Sequence, residues 1–403
     1  MLLALAFAAG AFTLAPAATI GPLWLLLGLA AIAIAWVVLA PSDVTRDDTL
    51  PALAVVLSSL GLLVVARLSP QLAQRQVFLL AVSLVLAVAL GPAFTRFRVL
   101  AAYKYIWILL AIVMFLALAV FGQEVNGAKL WIRFGAFQFE PVEVVKLLVV
   151  LFMASYLAET GDVIARTRPW SLRSNAKYLG PLFIGWGTSM AILVFERDLG
   201  MAFLLLATFA TMLYVATRRI DLIVGSFAIF GVAAFWAAKH YHYVQARVDV
   251  WQHPFADPLG AGYQSLQSMF GLAAGGLFGA GYHLGNPGYI PDVATDYIYS
   301  AWSEEWGLFG AIVLCLAFLA IVRRSLRIAA RAPDLYAKLL ATGLAATIGF
   351  QVIIIIGGVL RLFPLTGITL PFFSYGGSSL VTNYLLIALV WAVSSERRLV
   401  QKV

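Results

Sequence analysis

Charged residues and cysteine are scarce in this sequence. Only 11% of its 403 residues are charged, and its one cysteine, Cys315, lies inside an apolar run. A single cysteine excludes a disulfide framework and a cysteine-ligated metal site. The four histidines are scattered, and His240 and His242 are two residues apart, whereas helical metal ligands are usually three or four apart. We therefore interpret these two histidines as interfacial polar residues, and the scarcity of charge excludes a soluble protein.

Long apolar runs fill most of the chain, which is 63% hydrophobic with a mean hydropathy of +0.94. A membrane-spanning helix needs about 20 apolar residues. The pattern predicts an all-α polytopic membrane protein with about twelve spans, near 1–16, 21–40, 50–67, 77–95, 103–121, 141–158, 180–196, 199–217, 220–239, 299–322, 338–360 and 378–396. No positive charge precedes the first run, so we interpret the first two runs as retained helices and not as a signal peptide.

The positive charges are unevenly distributed along the chain, whose net charge is +8. With both termini in the cytoplasm, two thirds of the 27 Lys and Arg residues fall in inner loops. Topology and attraction to anionic membrane lipid explain this excess, so no nucleic-acid partner is expected. The long loops 122–140, 240–298 and 361–377 then lie outside, and we expect them to pack together there.

Acidic residues cluster in PDVATDYIYSAWSEEWG, residues 291–307, at the start of an otherwise apolar span. Asp296 lies at the mouth of that span. A half-buried carboxylate has a raised pKa and suits a general base, but an acid that pairs with an arginine and fixes a loop would give the same pattern. Glu304 and Glu305 lie deeper, where a structural pairing role is favoured for at least one of them.

A second charged pair opens the span near 141–158. In FEPVEVVK, Glu143 and Lys146 are three residues apart, so they share a helix face and can pair. One interpretation is an internal salt bridge that orients the helix. The other is a cation presented to a phosphate group.

Polar side chains in the outer loops offer further candidates for substrate binding. Gln264 and Gln267 lie on one amphipathic segment with Arg247 upstream, and could bind sugar hydroxyls and pyrophosphate. Ser374 and Tyr375 open the last span. Ser374 could cap that helix while Tyr375 belongs to an aromatic belt, or both could donate to an anionic group at the helix N-terminus.

The glycine-rich stretch LAAGGLFGAG, residues 272–281, does not indicate a nucleotide site. No Lys-Ser/Thr pair follows it and no strand precedes it. We expect its glycines to allow close packing of a re-entrant or interfacial helix.

Seven stretches, taken in order, resemble the SEDS family (shape, elongation, division and sporulation). They are NGAKLWI (126–132), FEPVEVVK (139–146), ERDLG (196–200), DPLGAGYQSLQS (257–268), GGLFGAG (275–281), IPDVATDYIYSAWSEEWG (290–307) and GITLPFFSYGGSS (367–379). The resemblance covers residues 50–396 and implies one membrane domain built as a ten-helix bundle. Residues 1–45 would then be an extra N-terminal helix pair, and 397–403 a cytoplasmic tail.

The resemblance also implies a function. It points to a peptidoglycan glycosyltransferase of the bacterial cytoplasmic membrane that polymerises lipid II at the outer face and releases undecaprenyl pyrophosphate. The expected partner is a class B penicillin-binding protein. Asp296 matches the essential aspartate of the family, which would act as general base, and Trp131 matches a family tryptophan, which would bind substrate. Glu143 and Lys146 match the helix-start motif.

No cofactor is firmly implied. Arg247, Lys146 or a divalent cation such as Mg²⁺ or Mn²⁺ could offset the pyrophosphate charge.

Two other functions remain open at this point. A flippase for a lipid-linked cell-wall precursor would need a polar path through the bundle, and the inner halves of the spans carry almost no charge. The second alternative function is a non-catalytic scaffold that positions the penicillin-binding protein. Among the family's roles, elongation is favoured over division and sporulation.

Overall fold

The computed structural model describes residues 47–125, 128–134, 137–167, 172–195 and 198–395. The predicted helix pair in residues 1–45 and the predicted tail 397–403 lie outside these ranges.

The described ranges contain thirteen α-helices, three short strands and one 3₁₀ turn at Pro287–Tyr289. The helices are α1 Thr49–Leu68, α2 Pro70–Phe94, α3 Phe97–Ala102, α4 Lys104–Phe121, α5 Pro141–Arg166, α6 Leu172–Phe195, α7 Leu199–Thr217, α8 Ile220–His240, α9 His242–Gln252, α10 Tyr263–Gly275, α11 Ile298–Ala330, α12 Leu335–Val359 and α13 Gly377–Ser395. The strands are β1 Gln123–Val125, β2 Ala128–Phe134 and β3 Phe137–Phe139.

The predicted polytopic helical fold is confirmed. Within the described ranges, nine helices are long and apolar enough to cross a membrane: α1, α2, α4, α5, α7, α8, α11, α12 and α13. The remaining predicted span, 180–196, falls largely within α6. Several helices extend beyond their predicted spans because hydropathy detects only the apolar part. For example, α2 begins at residue 70 and not at 77, since its first two turns contain glutamines and an arginine.

Two of the predicted outer loops contain regular structure. The loop 122–140 forms an antiparallel sheet in the order β1-β2-β3, with Trp131 opposite Gln123 and Ile132 opposite Phe139. These strands were not predicted, because strands of three to seven residues are too short for their alternation to be recognised. The loop 240–298 contains α9, α10 and the 3₁₀ turn.

The described chain forms two compact units. One contains Gln245–Arg324, Gln351–Trp391 and the described residues up to Gly91. We call it the Asp296 unit. The other, the Lys146 unit, contains Pro92–Val244, Ser325–Phe350 and the described residues from Ala392.

Helix α5 forms the core of the Lys146 unit. It packs against α3, α4, α6, α7 and β2. Nearly all of its side chains from Val142 to Leu157 are buried, as expected for a helix that is apolar on every side. It begins at Pro141, which matches the predicted position of proline in the first helical turn.

Helices α1 and α13 pack closely in the Asp296 unit. The Ser58 and Tyr384 hydroxyl oxygens are 2.9 Å apart. A Cβ atom on Gly61 would lie only 2.2 Å from the carbonyl oxygen of Phe373, so glycine is required for this approach. This packing holds the segment 370–376, which precedes α13, against α1.

Candidate active site

Asp296 lies two residues before α11, in a turn that starts at Asp292. The Asp292 carbonyl accepts hydrogen bonds from the Thr295 and Asp296 N–H groups, each at 3.1 Å. Asp292 has a φ of +49°, which the turn requires. Because α11 begins only at Ile298, the Asp296 carboxylate lies at the mouth of the helix, as predicted.

The segment before α13 holds the Asp296 turn in place. The Tyr375 N–H donates to the Ala294 carbonyl at 2.8 Å. The Ser374 hydroxyl donates to the Thr295 carbonyl at 2.6 Å and accepts from the Leu370 N–H at 3.0 Å. The main chains on either side of Asp296 are thus fixed by another loop.

These contacts bear on the two predicted roles of Ser374. Ser374 is buried and lies three residues before α13, so its hydroxyl neither caps that helix nor faces outward. Its position favours the fixing of the aspartate turn. The partly exposed Tyr375 stays a predicted substrate-binding residue.

The surroundings of Asp296 make its carboxyl group a weaker acid than an ordinary aspartate. Burial raises the pKa of Asp296 to about 6, and the negative charge of Asp292 adds to this rise. The Thr295 hydroxyl, which donates to the Asp292 carbonyl at 3.0 Å, and the positive charge of Arg247 act in the opposite direction. A carboxylate with this pKa is ionised at neutral pH and can still take up a proton from a reacting group.

Arg247 and Asp296 lie beside the same glycine. A Cβ atom on Gly367 would lie 3.5 Å from Oδ2 of Asp296 and 3.6 Å from Nη2 of Arg247. Arg247 projects from α9, and its Nη1 donates to the Leu365 carbonyl at 3.0 Å. Gly367 has a φ of +78°, and its lack of a side chain leaves the space beside both charged groups open.

Gln264 contacts the same turn from α10. Its Nε2 donates to the Pro291 carbonyl at 3.0 Å and lies 3.5 Å from Oδ2 of Asp292. Gln267 lies one turn further along α10 and is half-buried. The structure therefore brings Arg247, Gln264, Ser374 and Tyr375 to the Asp296 turn, whereas a contact of Gln267 with substrate stays a prediction.

Glu304 and Glu305 lie where α11 meets the glycine-rich stretch. The Ala280 and Gly281 N–H groups donate to the carbonyls of Glu304 and Glu305 at 2.9 and 3.0 Å. A Cβ atom on Gly279 would lie 2.1 Å from the Glu305 carbonyl oxygen. The predicted close packing of the glycines is confirmed.

The side chains of these two glutamates have partners within the protein. Oε1 of Glu304 accepts from the Asn286 N–H at 2.7 Å. Oε1 of Glu305 lies 3.4 Å from Nε of Arg67. These contacts agree with the structural pairing that the sequence favoured.

The other three predicted site residues belong to the Lys146 unit. Trp131 lies on β2 and is partly exposed. Glu143 and Lys146 form the predicted ion pair, with 2.5 Å between Oε2 and Nζ, and both side chains are buried. Their pairing is confirmed, while their part in substrate binding stays a prediction.

Sequence reasoning missed three contributors to the site. Asp292 and Thr295 tune the acidity of Asp296, and Gly367 leaves space beside it. A sequence signal existed only for Asp292, an acidic residue four positions before Asp296 in a chain with few charges. Among the described residues, no group of three or more His, Cys, Asp or Glu side chains could hold a metal ion.

Comparison with known sequences identifies close relatives. The model of the FtsW/RodA/SpoVE family, described as cell cycle protein, matches residues 24–399. The chain is 36% identical over 372 residues to the peptidoglycan glycosyltransferase RodA of Mycobacterium tuberculosis (strain H37Rv), an alignment that covers 87% of this chain and 78% of that protein. It is also 36% identical over 281 residues to stage V sporulation protein E of Bacillus subtilis (strain 168), covering 69% and 74% of the two chains.

Solved structures share the fold. One, described as "Structural coordination of polymerization and crosslinking by a peptidoglycan synthase complex", matches with a TM-score of 0.70 and 28% identity over 88% of this chain and 99% of that chain. The crystal structure of the rod shape determining protein RodA of Thermus thermophilus matches with a TM-score of 0.65 and 26% identity, covering 89% and 99%.

Proposed function

The chain belongs to the FtsW/RodA/SpoVE family, the SEDS family, and from this membership we propose that it is a peptidoglycan glycosyltransferase. It is a multi-pass membrane protein. It polymerises lipid II into glycan strands at the outer face of the bacterial cytoplasmic membrane and releases undecaprenyl pyrophosphate. Both termini lie in the cytoplasm, and the Asp296 turn faces outward.

The single observation that carries the mechanism is the position of Asp296 at the mouth of α11, in a turn that Ser374 and Tyr375 hold in place. Asp296 acts as the general base. It accepts the proton of the acceptor sugar hydroxyl as the hydroxyl oxygen bonds to the anomeric carbon of the donor. The bond from that carbon to the pyrophosphate oxygen breaks, and pyrophosphate leaves with the electron pair. Since pyrophosphate is already a good leaving group, no second carboxylic acid is required.

Other residues around the Asp296 turn can offset the pyrophosphate charge and keep Asp296 in position. The Arg247 guanidinium, beside Gly367, offsets the charge of the departing pyrophosphate. Gln264 and the segment before α13 hold the aspartate turn in a fixed geometry, which lowers the entropic cost of reaching the transition state.

Two carboxylates of this turn, together with substrate phosphates, could hold a divalent cation. Mg²⁺ is commonly held by one or two carboxylates together with substrate phosphates. Asp292 and Asp296 are the carboxylates that would hold it, and when bound it would neutralise pyrophosphate charge.

The proposal extends to a partner and a cellular role. A class B penicillin-binding protein crosslinks the strands that this chain makes. The similarity to a solved peptidoglycan synthase complex that combines polymerization and crosslinking supports such a partner. The 36% sequence identity to RodA of Mycobacterium tuberculosis supports a role in cell-wall elongation.

The test is polymerisation of labelled lipid II by the purified protein, with and without its penicillin-binding partner. Wild type is compared with Asp296→Asn and with the control Asp249→Asn, which changes an exposed carboxylate on α9. Glycan strands from wild type and Asp249→Asn, with none from a stably folded Asp296→Asn, support the proposal. Equal product from Asp296→Asn removes Asp296 from the chemistry. No product from wild type with its partner present favours a flippase or a scaffold.

A further inference from the structure

Arg361 occupies a backbone position that favours glycine. The Leu362 N–H donates to the Gly357 carbonyl at 2.8 Å, and the Arg361 N–H donates to the Gly358 carbonyl at 3.0 Å. These two bonds form a Schellman motif at the end of α12, and Arg361 is its left-handed residue, with a φ of +60°. The left-handed conformation costs free energy for any residue with a Cβ atom. An arginine here suggests that its side chain has a use that outweighs this strain.

The Arg361 guanidinium is only partly satisfied by the protein. Its Nη2 donates to the Trp251 carbonyl. Its Nη1 lies 3.3 Å from the Met269 sulfur, which is a weak acceptor. Its Nε is buried and has no hydrogen-bond partner among the described residues. A guanidinium has five donors in a planar arrangement that matches phosphate oxygens, so this one retains donors for an anionic ligand.

Helix α9 places Arg361 beside the candidate active site. The Trp251 indole N–H donates to the Arg361 carbonyl at 2.9 Å. One turn earlier on α9, Arg247 donates to the Leu365 carbonyl. The segment 361–365 is thus fastened to one face of α9 at two points, and each point contains an arginine.

Both arginines act electrostatically on the residue that follows Asp296. Burial raises the pKa of Tyr297 and the charge of Asp296 raises it further, while the positive charges of Arg247 and Arg361 lower it. The Arg361 guanidinium therefore lies within electrostatic range of the Asp296 turn.

We propose that Arg361 binds the diphosphate group of a lipid-linked sugar, acting together with Arg247. The inference rests on the proposed function and assigns that site a substrate contact. The α12 span ends at Val359, so Arg361 lies just outside the apolar stretch. A lipid diphosphate has its charge at the same boundary, immediately beyond its apolar tail.

The test compares Arg361→Gly with Trp251→Phe in the full chain, purified with its penicillin-binding partner. Glycine suits the left-handed backbone, so Arg361→Gly removes the guanidinium without straining the fold. Trp251→Phe removes the indole donor to the Arg361 carbonyl but keeps the guanidinium. The measurements are KM and kcat for lipid II, and the rise in Tm caused by farnesyl diphosphate, farnesyl monophosphate or inorganic pyrophosphate. The rise in Tm requires no activity.

Loss of a charge-assisted contact weakens binding by about tenfold or more. We expect Arg361→Gly to raise KM by about that factor, with a smaller effect on kcat. Its preference for farnesyl diphosphate over the monophosphate should fall by a similar factor. Trp251→Phe should keep the preference, and Arg361→Lys should restore part of it. Binding of inorganic pyrophosphate as strong as that of farnesyl diphosphate would identify a free-anion site and contradict the lipid ligand.

An unchanged diphosphate preference in Arg361→Gly would overturn this inference. Equal losses of both Tm and diphosphate preference in Arg361→Gly and Trp251→Phe would overturn it too, since they would show a purely structural crosslink. If wild type and Arg361→Gly polymerise lipid II with the same KM and kcat, the role of Arg361 is refuted while the proposed function stands. A wild type that binds farnesyl diphosphate through Arg361 but makes no glycan removes the proposed function alone.

Discussion

Nε of Arg67 on α1 lies 3.4 Å from Oε1 of Glu305 on α11, and only 4% of the Glu305 side chain is exposed. Nη2 of the same arginine donates to the Gly285 carbonyl at 3.1 Å. Arg67 therefore joins α1, α11 and the loop after the glycine-rich stretch. It also compensates one of the two adjacent glutamates in an apolar helix.

Removing Arg67 should destabilise the protein by leaving a buried carboxylate without its partner. We expect Arg67→Gln to lower the free energy of unfolding by about 2–4 kcal/mol, below the upper range for fully buried pairs because Arg67 is partly exposed. The measurement is Tm in detergent. Arg67→Gln combined with Glu305→Gln should recover most of the loss, because both charges of this pair are then removed. A double variant as unstable as the single one would contradict this explanation.

Polymerisation should depend on pH through Asp296. Because burial raises the pKa of Asp296 to about 6, the carboxylate is protonated below that pH and cannot act as base. The rate should be constant well above pH 6 and fall as pH decreases through about 6, roughly tenfold per pH unit further down.

The neighbours of Asp296 should move this profile in opposite directions. Asp292→Asn removes a negative charge that raises the pKa of Asp296, so the midpoint should shift to lower pH. Thr295→Val removes a hydroxyl group that lowers the pKa of Asp296, so the midpoint should shift to higher pH. The measurement is kcat against pH, and two shifts of the same sign would refute the assignment of the titrating group.

The Glu143–Lys146 pair should be essential for stability. Both side chains are buried with Oε2 and Nζ 2.5 Å apart, so Glu143→Ala removes the carboxylate that compensates a buried ammonium and should cost about 3–5 kcal/mol. Lost expression or a lower Tm is the expected result. Glu143→Gln with Lys146→Met, which removes both charges, should be much less destabilised. A Glu143→Ala protein that is stable but inactive would instead favour presentation of Lys146 to a phosphate.

Gly307 should tolerate no side chain. It interrupts the helical conformation of α11 with a φ of +65°, and a Cβ atom would lie 2.3 Å from the Gly279 nitrogen. Gly307→Ala should cost about 1–3 kcal/mol from the backbone conformation alone, since its positive φ combined with a ψ of −168° is adopted almost only by glycine, with the clash in addition. Gly288→Ala is the matched control, since a Cβ atom there has open space. Equal Tm values for the two variants would show that the close approach is not required.

Hydropathy predicted the membrane-spanning parts of the helices but not their full lengths. The span predicted at 299–322 is the apolar part of α11, which continues to Ala330 through the arginines at 323, 324 and 327. The start of α5 at Pro141 was predictable, because proline at a first turn is a local preference. The strands of the loop 122–140 were missed because their pairing depends on contacts between segments.

Several residues of the candidate site could be predicted from the sequence because they obey local rules. A carboxylate at the mouth of an apolar helix, a pair of opposite charges three residues apart and a cluster of glycines each express a local rule. Asp296, the Glu143–Lys146 pair and the close packing near Gly279 were therefore accessible. The role of Ser374 was not, because its partner Thr295 is 79 residues away in the chain.

The sequence by itself determined that this chain is a polytopic helical membrane protein with an acid at the mouth of α11, because the cost of placing charge in lipid restricts where polar residues can occur. Only the tertiary structure decided what surrounds that acid. Arg247 and Asp292, which adjust its pKa, and Arg361, which holds the neighbouring segment against α9, reach their positions through the folding of separate loops. The acidity of a carboxylate and the unused donors of a guanidinium depend on distances in space, and these are established only when the segments pack.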